Sequence, residues 1–167
     1  MSLAETLLPE FDNEMAATRR LLERVPERDA GWRPHPKSNT LGELAVHLTR
    51  LPLWGRYVFG QSELDLGLPE NASIARAEFS TTAELLERFD RHVREGRDGL
   101  AAATDADMGA IWSLKNAGAV IFSFPRAAVY RSFVMSHLIH HRGQLTVYLR
   151  LRDVPLPSLY GPTADVR

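Results

Sequence analysis

The chain has 167 residues, of which 44% are hydrophobic and 25% are charged, and its formal net charge is -1. This length and composition are typical of one globular domain, so we predict a single domain over residues 1–167. The near-neutral charge predicts no nucleic-acid partner, because nucleic-acid-binding domains usually carry a basic surplus. The absence of cysteine excludes disulfides, thiolate metal ligands and a cysteine nucleophile.

The sequence opens without a basic region followed by a long apolar run, and no apolar stretch approaches the roughly 20 residues that cross a bilayer. A chain without cysteine also fits a reducing compartment. We therefore predict a cytoplasmic protein with no secretion signal and no membrane partner.

Apolar residues at helical spacing predict two helices in the first third of the chain. The first runs from Leu3 to Val25, and Pro26 ends it. The second begins near Ser38–Thr40, which are favourable N-cap residues. We expect Pro52 to bend or loosen this helix. Its buried stripe consists of Leu41, Leu44, Leu48, Leu51 and Trp54.

The remaining sequence predicts two further helices and a hairpin. Residues 55–80 are expected to be mostly loop, because glycine and proline punctuate them. A third helix opens with the capping box Thr81–Glu84. Two short apolar runs, 110–114 and 119–123, flank a turn and predict a β-hairpin. The fourth helix is predicted over about residues 125–152.

This fourth helix carries a wider apolar surface than one helical core requires. One face contains Tyr130, Val134, His137 and His141. A second face contains Met135, Leu138, Leu145 and Leu149. We infer that the second face meets either another subunit or the hairpin.

His137 and His141 are four residues apart, so their imidazoles point to one side of the fourth helix. Such a pair can occupy two adjacent positions around a divalent metal. His47 is the best third candidate, because it lies between Leu44 and Leu51 on the inward face of the second helix. Three imidazoles with an open position are typical of catalytic sites and suit zinc, nickel, copper or iron. On spacing alone, histidines that hydrogen-bond to neighbours and bind no metal fit equally well.

The other three histidines are weaker candidates. His140 turns away from the pair, which favours a position at the surface or behind the ligands. His92 borders the core edge, where packing or exposure is at least as good an interpretation as pocket lining. His35 lies between two prolines and is interpreted as a loop residue.

No residue stands out as a general base. Glu43 is a candidate for orienting the His47 ring, and Tyr130 is a candidate for facing the open position. The simpler interpretations are a solvated carboxylate and a packed tyrosine, and we favour them.

Three segments resemble those of a known family: Gly42–Leu48, His137–Leu145 and Pro155–Gly161. In these segments and in the order of its predicted helices and strands, the chain resembles the DinB/YfiT-like superfamily of metal-dependent enzymes. The resemblance implies an all-α fold, a four-helix bundle with a long crossover connection, and it agrees with a short β-hairpin before the last helix. It also implies a homodimer in which His47, His137 and His141 hold a metal, usually nickel or zinc.

Characterised members of this superfamily include S-transferases and isomerases that use low-molecular-weight thiols such as bacillithiol or mycothiol. The leading hypothesis is therefore a thiol-dependent S-transferase acting on a small-molecule substrate, with metal-assisted hydrolysis as a variant. The alternatives are a non-catalytic metal-binding module and a metal-free bundle that binds a small apolar ligand.

Overall fold

The computed structural model describes residues 2–74 and 77–166. Most of the described chain is helical. The α-helices are α1 (Leu3–Leu22), α2 (Leu41–Arg50), α3 (Trp54–Gly60), α4 (Thr82–Ala102), α5 (Asp105–Gly109), α6 (Arg126–Val129) and α7 (His137–Arg150). A π-helical segment, Tyr130–Ser136, joins α6 to α7, and short 3-10 turns cover Glu27–Asp29 and Pro69–Ile74. Within the described ranges, no helix is both long and apolar enough to cross a membrane.

Side-chain caps set where the main helices begin. Thr40 caps α2 through a capping box, in which its hydroxyl accepts the Glu43 N–H and Glu43 accepts the Thr40 N–H. Ser2 caps α1 in the same reciprocal way, and Thr81 accepts the N–H of Glu84 at the start of α4. The predicted starts of α2 and α4 are thereby confirmed, because capping hydroxyls satisfy N–H groups that a helix leaves unpaired. Only the Thr81 half of the capping box predicted for α4 forms, because the Glu84 carboxylate accepts from the Ser80 hydroxyl instead.

The second predicted helix divides at Pro52. Its first part ends at Arg50, and α3 begins at Trp54, so the prediction of loop from residue 55 is wrong for the six residues that follow Trp54. The helix α3 packs closely on α4. The two backbones are so near that a Cβ atom added at Gly55 would lie 2.7 Å from the Gly96 carbonyl oxygen. Gly55 therefore allows close helix packing, whereas we had expected it to begin a loop.

The predicted hairpin is part of a three-stranded sheet. Strands β1 (Glu63–Asp65), β2 (Ile111–Asn116) and β3 (Ala119–Pro125) lie in that order, with β1 parallel and β3 antiparallel to β2. The Asp65 carboxylate accepts the N–H groups of Ala117 and Gly118, which form the positive-φ turn between β2 and β3. A three-residue strand has too short a pattern for sequence analysis to detect, which explains why β1 was missed.

The core lies among α1, α2, α4 and α7, where α1 and α2 each contact both α4 and α7. The predicted stripe of the second helix is buried throughout. The second face predicted for the fourth helix is also buried in this core, so it does not meet another subunit. Its residues Met135, Leu138, Leu145 and Leu149 are at most 1% exposed.

A buried ion pair fixes the rotation of α7 beside the core. Arg142 is 1% exposed, and its guanidinium lies 2.5 Å from a Glu14 carboxylate oxygen of α1. The Tyr160 hydroxyl donates to the same carboxylate and so holds the C-terminal segment over this pair. Removing one partner of such a pair leaves a buried charge uncompensated, which costs about 3–5 kcal/mol.

We expect Gly96→Ala to lower the free energy of unfolding by about 1–3 kcal/mol. A Cβ there would lie 2.0 Å from the Pro52 carbonyl oxygen, so the turn before α3 would have to move away from α4. Gly143→Ala is the matched control, because no described atom beyond the adjacent residues and the nearby backbone of α7 lies within 4 Å of that Cβ. Helix propensity should then raise stability by up to ~1 kcal/mol. Urea denaturation measures both, and equal effects of the two substitutions would contradict the close contact.

Candidate metal centre

Two helices bring the three predicted histidines together. His47 comes from the last turn of α2, and His137 and His141 come from the first two turns of α7. The ligand nitrogens of the three rings lie within 4.8 Å of one another. The Nε2 atoms of His47 and His137 are 3.2 Å apart. The structure therefore places all three predicted side chains in one cluster.

The donor set fits a divalent metal. Around a tetrahedral zinc ion with Zn–N distances of about 2.05 Å, two ligand nitrogens lie about 3.3 Å apart. The observed 3.2 Å between the Nε2 atoms of His47 and His137 is close to this value. All three side chains are half-buried, so the cluster is packed on one side and accessible on another. Three ligands with an accessible side match catalytic rather than closed structural zinc sites.

Hydrogen bonds on the outer edge of two rings direct their Nε2 atoms into the cluster. His137 Nδ1 lies 3.3 Å from the Phe133 carbonyl oxygen, and His141 Nδ1 lies 2.7 Å from Gln144 Oε1. Assigned from these acceptors, the proton of each ring is on Nδ1. The lone pair on Nε2 then points inward, which is the arrangement that metal-binding histidines require.

The outer edge of His47 differs, because it faces a donor. Its Nδ1 lies 3.2 Å from Arg50 Nη2, and a guanidinium can only donate hydrogen bonds. Without an ion, the network is consistent when Arg50 donates to Nδ1 and the His47 Nε2–H donates to His137. Coordination through Nε2 would move the His47 proton to Nδ1, where it would face the Arg50 donor.

Burial and mutual proximity keep the three rings neutral at pH 7. Burial is the largest cause that lowers the pKa of His47 to about 3, followed by the charges of His141, His137 and Arg50. Burial also lowers the pKa of His137 and of His141. Neutral imidazole is the form that binds a metal, so folding alone sets the required protonation state.

The π-helical segment explains why Tyr130 does not face the cluster. A π-helix bonds residue i to i+5 and turns less per residue than an α-helix, so residues before and after it no longer share a face. Tyr130 is fully buried, with its ring against Phe11 and Phe59. The packed-tyrosine interpretation agrees with this position, and burial raises the pKa of its hydroxyl.

The other candidates lie outside the cluster. The Glu43 carboxylate accepts the Thr40 N–H at 2.6 Å, a bond that lowers its pKa, so its role here is helix capping. His92 Nδ1 donates to the Thr49 carbonyl oxygen from a half-buried position. His140 is exposed beside Gln144, and His35 is exposed in the loop before α2.

A cavity of about 750 Å³ adjoins the cluster at His47. The cavity is lined by residues of α2, of the segment before α2 and of 77–79; the lining includes Arg50 but neither histidine of α7. Sequence analysis did not single out Arg50, although its position three residues after His47 places it on the same helix face. The approach of residues 77–79 had no local signal, because it depends on the path of a long connection.

The chain is thus a mostly helical protein with a three-histidine cluster that is compatible with a divalent metal. The sequence model of the DinB superfamily matches residues 10–145, and the chain belongs to this superfamily. A DinB-like protein from Bacillus cereus has a TM-score of 0.69 at 20% identity, over 93% of this chain and 97% of that chain. A DinB-like protein from Bacillus subtilis has a TM-score of 0.69 at 19% identity, over 92% and 96%. A comparison with curated proteins gives no match.

We expect Tyr130→Phe to leave metal binding unchanged and to raise the free energy of unfolding by up to ~1 kcal/mol. The Tyr130 hydroxyl is buried and has no hydrogen-bond partner among the described residues, so its removal abolishes a desolvation cost. Tyr148→Phe is the matched control: it loses the bond to the Asn39 carbonyl oxygen and should lower stability by about 0.5–1.5 kcal/mol. Thermal melts with metal analysis measure both, and loss of bound metal from Tyr130→Phe would contradict the assignment.

Proposed function

We propose that this member of the DinB superfamily is a metal-dependent enzyme of the thiol S-transferase type. His47, His137 and His141 would hold one divalent ion, nickel or zinc. In the reaction, the sulfur of a low-molecular-weight thiol would lose its proton and displace a leaving group from an electrophilic carbon of a small-molecule substrate, and the leaving group would depart with the proton. The observation that carries the proposal is the convergence of three neutral imidazoles within 4.8 Å on an accessible side of the protein.

When bound by three neutral ligands, a divalent ion keeps its full charge and lowers the pKa of a thiol or water in its open position. The chain supplies the orientation of the rings, through Phe133 on His137 and Gln144 on His141. It also supplies an apolar wall, because the Phe133 ring packs on His137 and on Trp54. Such a wall limits water near the reacting thiol and strengthens local electrostatic interactions.

We also propose that the four longest helices form the four-helix bundle that the resemblance implied. The contacts of α1 and α2 with both α4 and α7 support this arrangement. The connection between α2 and α4 would be the long crossover, and it contains α3 and β1. This crossover also supplies residues 77–79 of the cavity.

A homodimer is proposed with β3 at the interface. In the described part of the chain β3 pairs only with β2, and an unpaired strand edge is self-complementary to the same edge of a second copy. Exposed apolar side chains on β3 support this choice: Val120, Ile121 and Phe124 are each at least 55% exposed.

We expect Ile121→Lys to convert the dimer to monomer in sedimentation velocity. A dimer that persists in this variant would contradict the assigned interface.

Protein purified without a metal-affinity column should contain about one equivalent of nickel or zinc, and His141→Ala should lose it. A site reduced to two ligands loses well over 100-fold in affinity, because even residues that only orient a ligand contribute 10–100-fold. His140→Ala is the matched control, since His140 lies beside the cluster but is exposed. Emission spectrometry of each purified protein measures the metal.

The outcomes distinguish the proposed enzyme from its alternatives. Absence of stoichiometric metal from wild-type protein would contradict the proposal and favour a metal-free binding bundle. Stoichiometric metal without thiol transfer, in assays of small thiols with soft electrophiles, would favour a non-catalytic metal-binding protein. Full metal content in His141→Ala would show that the ligand assignment is wrong.

A further inference from the structure

The cavity beside His47 is large enough for a small molecule and carries a marked polar feature. Its volume of about 750 Å³ lies within the range of small-molecule sites. Arg50 and His47 both line it, one turn apart on α2. The edge of His47 that carries Nδ1 is the edge that faces Arg50.

Two donors meet at this point once Nε2 of His47 is used as a metal ligand. The imidazole proton is then on Nδ1, and the Arg50 guanidinium opposite it, 3.2 Å away, has no lone pair to accept a hydrogen bond. The other two rings have acceptors at this position, namely the Phe133 carbonyl oxygen and Gln144 Oε1. Among residues 2–74 and 77–166, Arg50 is the hydrogen-bonding group that the structure places at His47 Nδ1, so the metal-bound form of this ring calls for an acceptor there.

We propose that the cavity binds a small molecule carrying an anionic carboxylate or phosphate group, with an oxygen that accepts hydrogen bonds from both Arg50 and His47 Nδ1. This inference rests on the proposed metal function, because His47 donates from Nδ1 only when Nε2 is the ligand. The anion would complete the carboxylate–histidine–metal arrangement that commonly supports such sites.

The positive charge of Arg50 favours an anion beside His47. The Arg50 guanidinium lies on the cavity wall, with its Nη2 3.2 Å from His47 Nδ1. Two carboxylates, Glu43 and Glu78, also line the cavity. Glu43 is held by the Thr40 N–H at the start of α2, so its charge already has a partner. Arginine is well suited to the task, because its planar fork matches carboxylate and phosphate oxygens.

The inference predicts reciprocal coupling between metal and anion. An anion that fixes the His47 proton on Nδ1 stabilises the tautomer in which Nε2 binds metal. By linkage, metal must strengthen anion binding by the same factor, which is typically about 5–150-fold.

Titration calorimetry of the zinc-loaded protein tests the proposed anion site. The ligands are succinate, inorganic phosphate and the neutral analogue succinamide. We expect succinate or phosphate to bind and succinamide to bind at least about tenfold more weakly, since only the anions form charge-assisted hydrogen bonds. Comparing succinate with phosphate shows which oxyanion the site prefers. Arg50→Met should weaken anion binding at least about tenfold while zinc stoichiometry stays at the wild-type value.

Arg97→Met is the matched control, because Arg97 pairs with Asp12 and does not line the cavity. Circular dichroism checks that each variant is folded. If Arg50→Met does not fold, Arg50→Gln replaces it in the same titration. A second readout is zinc affinity: saturating anion should tighten it in wild type and leave it unchanged in the Arg50 variant.

Equal anion binding by wild type and the Arg50 variant, or no anion binding by zinc-loaded wild type, would overturn the inference. If zinc is retained in either case, the proposed metal function still stands. Conversely, Arg50-dependent anion binding by protein that retains no zinc would overturn the metal function, the coupling and the His47 contact, and would leave an anion site at Arg50 alone.

Discussion

The packing of α2 against α7 is the constraint on which the candidate site depends. His47 reaches the other two rings only because apolar residues of both helices, such as Leu48 and Leu138, are fully buried in one core. The Arg142–Glu14 pair adds a directional restraint on α7, one residue after His141. A rotation or shift of either helix would separate the Nε2 atoms before it exposed much apolar surface. The site is therefore sensitive to core packing well beyond its own side chains.

That packing also sets the chemistry of the rings. Burial keeps the imidazoles neutral, and acceptors on the outer edges of His137 and His141 hold their protons away from the centre. Two of the three ligands are thus oriented for a metal by the fold alone. His47 is different, because its outer edge faces Arg50 and opens on the cavity. This asymmetry links a metal centre to a separate space in which a charged ligand fits.

Local sequence patterns predicted most of this arrangement. The i,i+4 spacing of His137 and His141, with the apolar stripe around His47, identified the three residues that the fold brings together. Two features were missed because they depend on tertiary contacts: β1 pairs with a distant strand, and residues 77–79 approach α2 through a long connection. The favoured interpretation of Tyr130 as a packed side chain agrees with its buried position, although helical spacing placed it on one face with His137. Helical periodicity assumes a uniform α-helix, and the π-helical segment changes the phase between Tyr130 and His137.

The central claim is that three imidazoles from two helices share one divalent ion. A crystal structure of protein purified without a metal-affinity column, with anomalous diffraction data at the nickel and zinc edges, tests it most directly. We expect one anomalous peak about 2.0–2.2 Å from Nε2 of His47, His137 and His141. Data with no peak among these three rings, or with a peak held by other side chains, would contradict it.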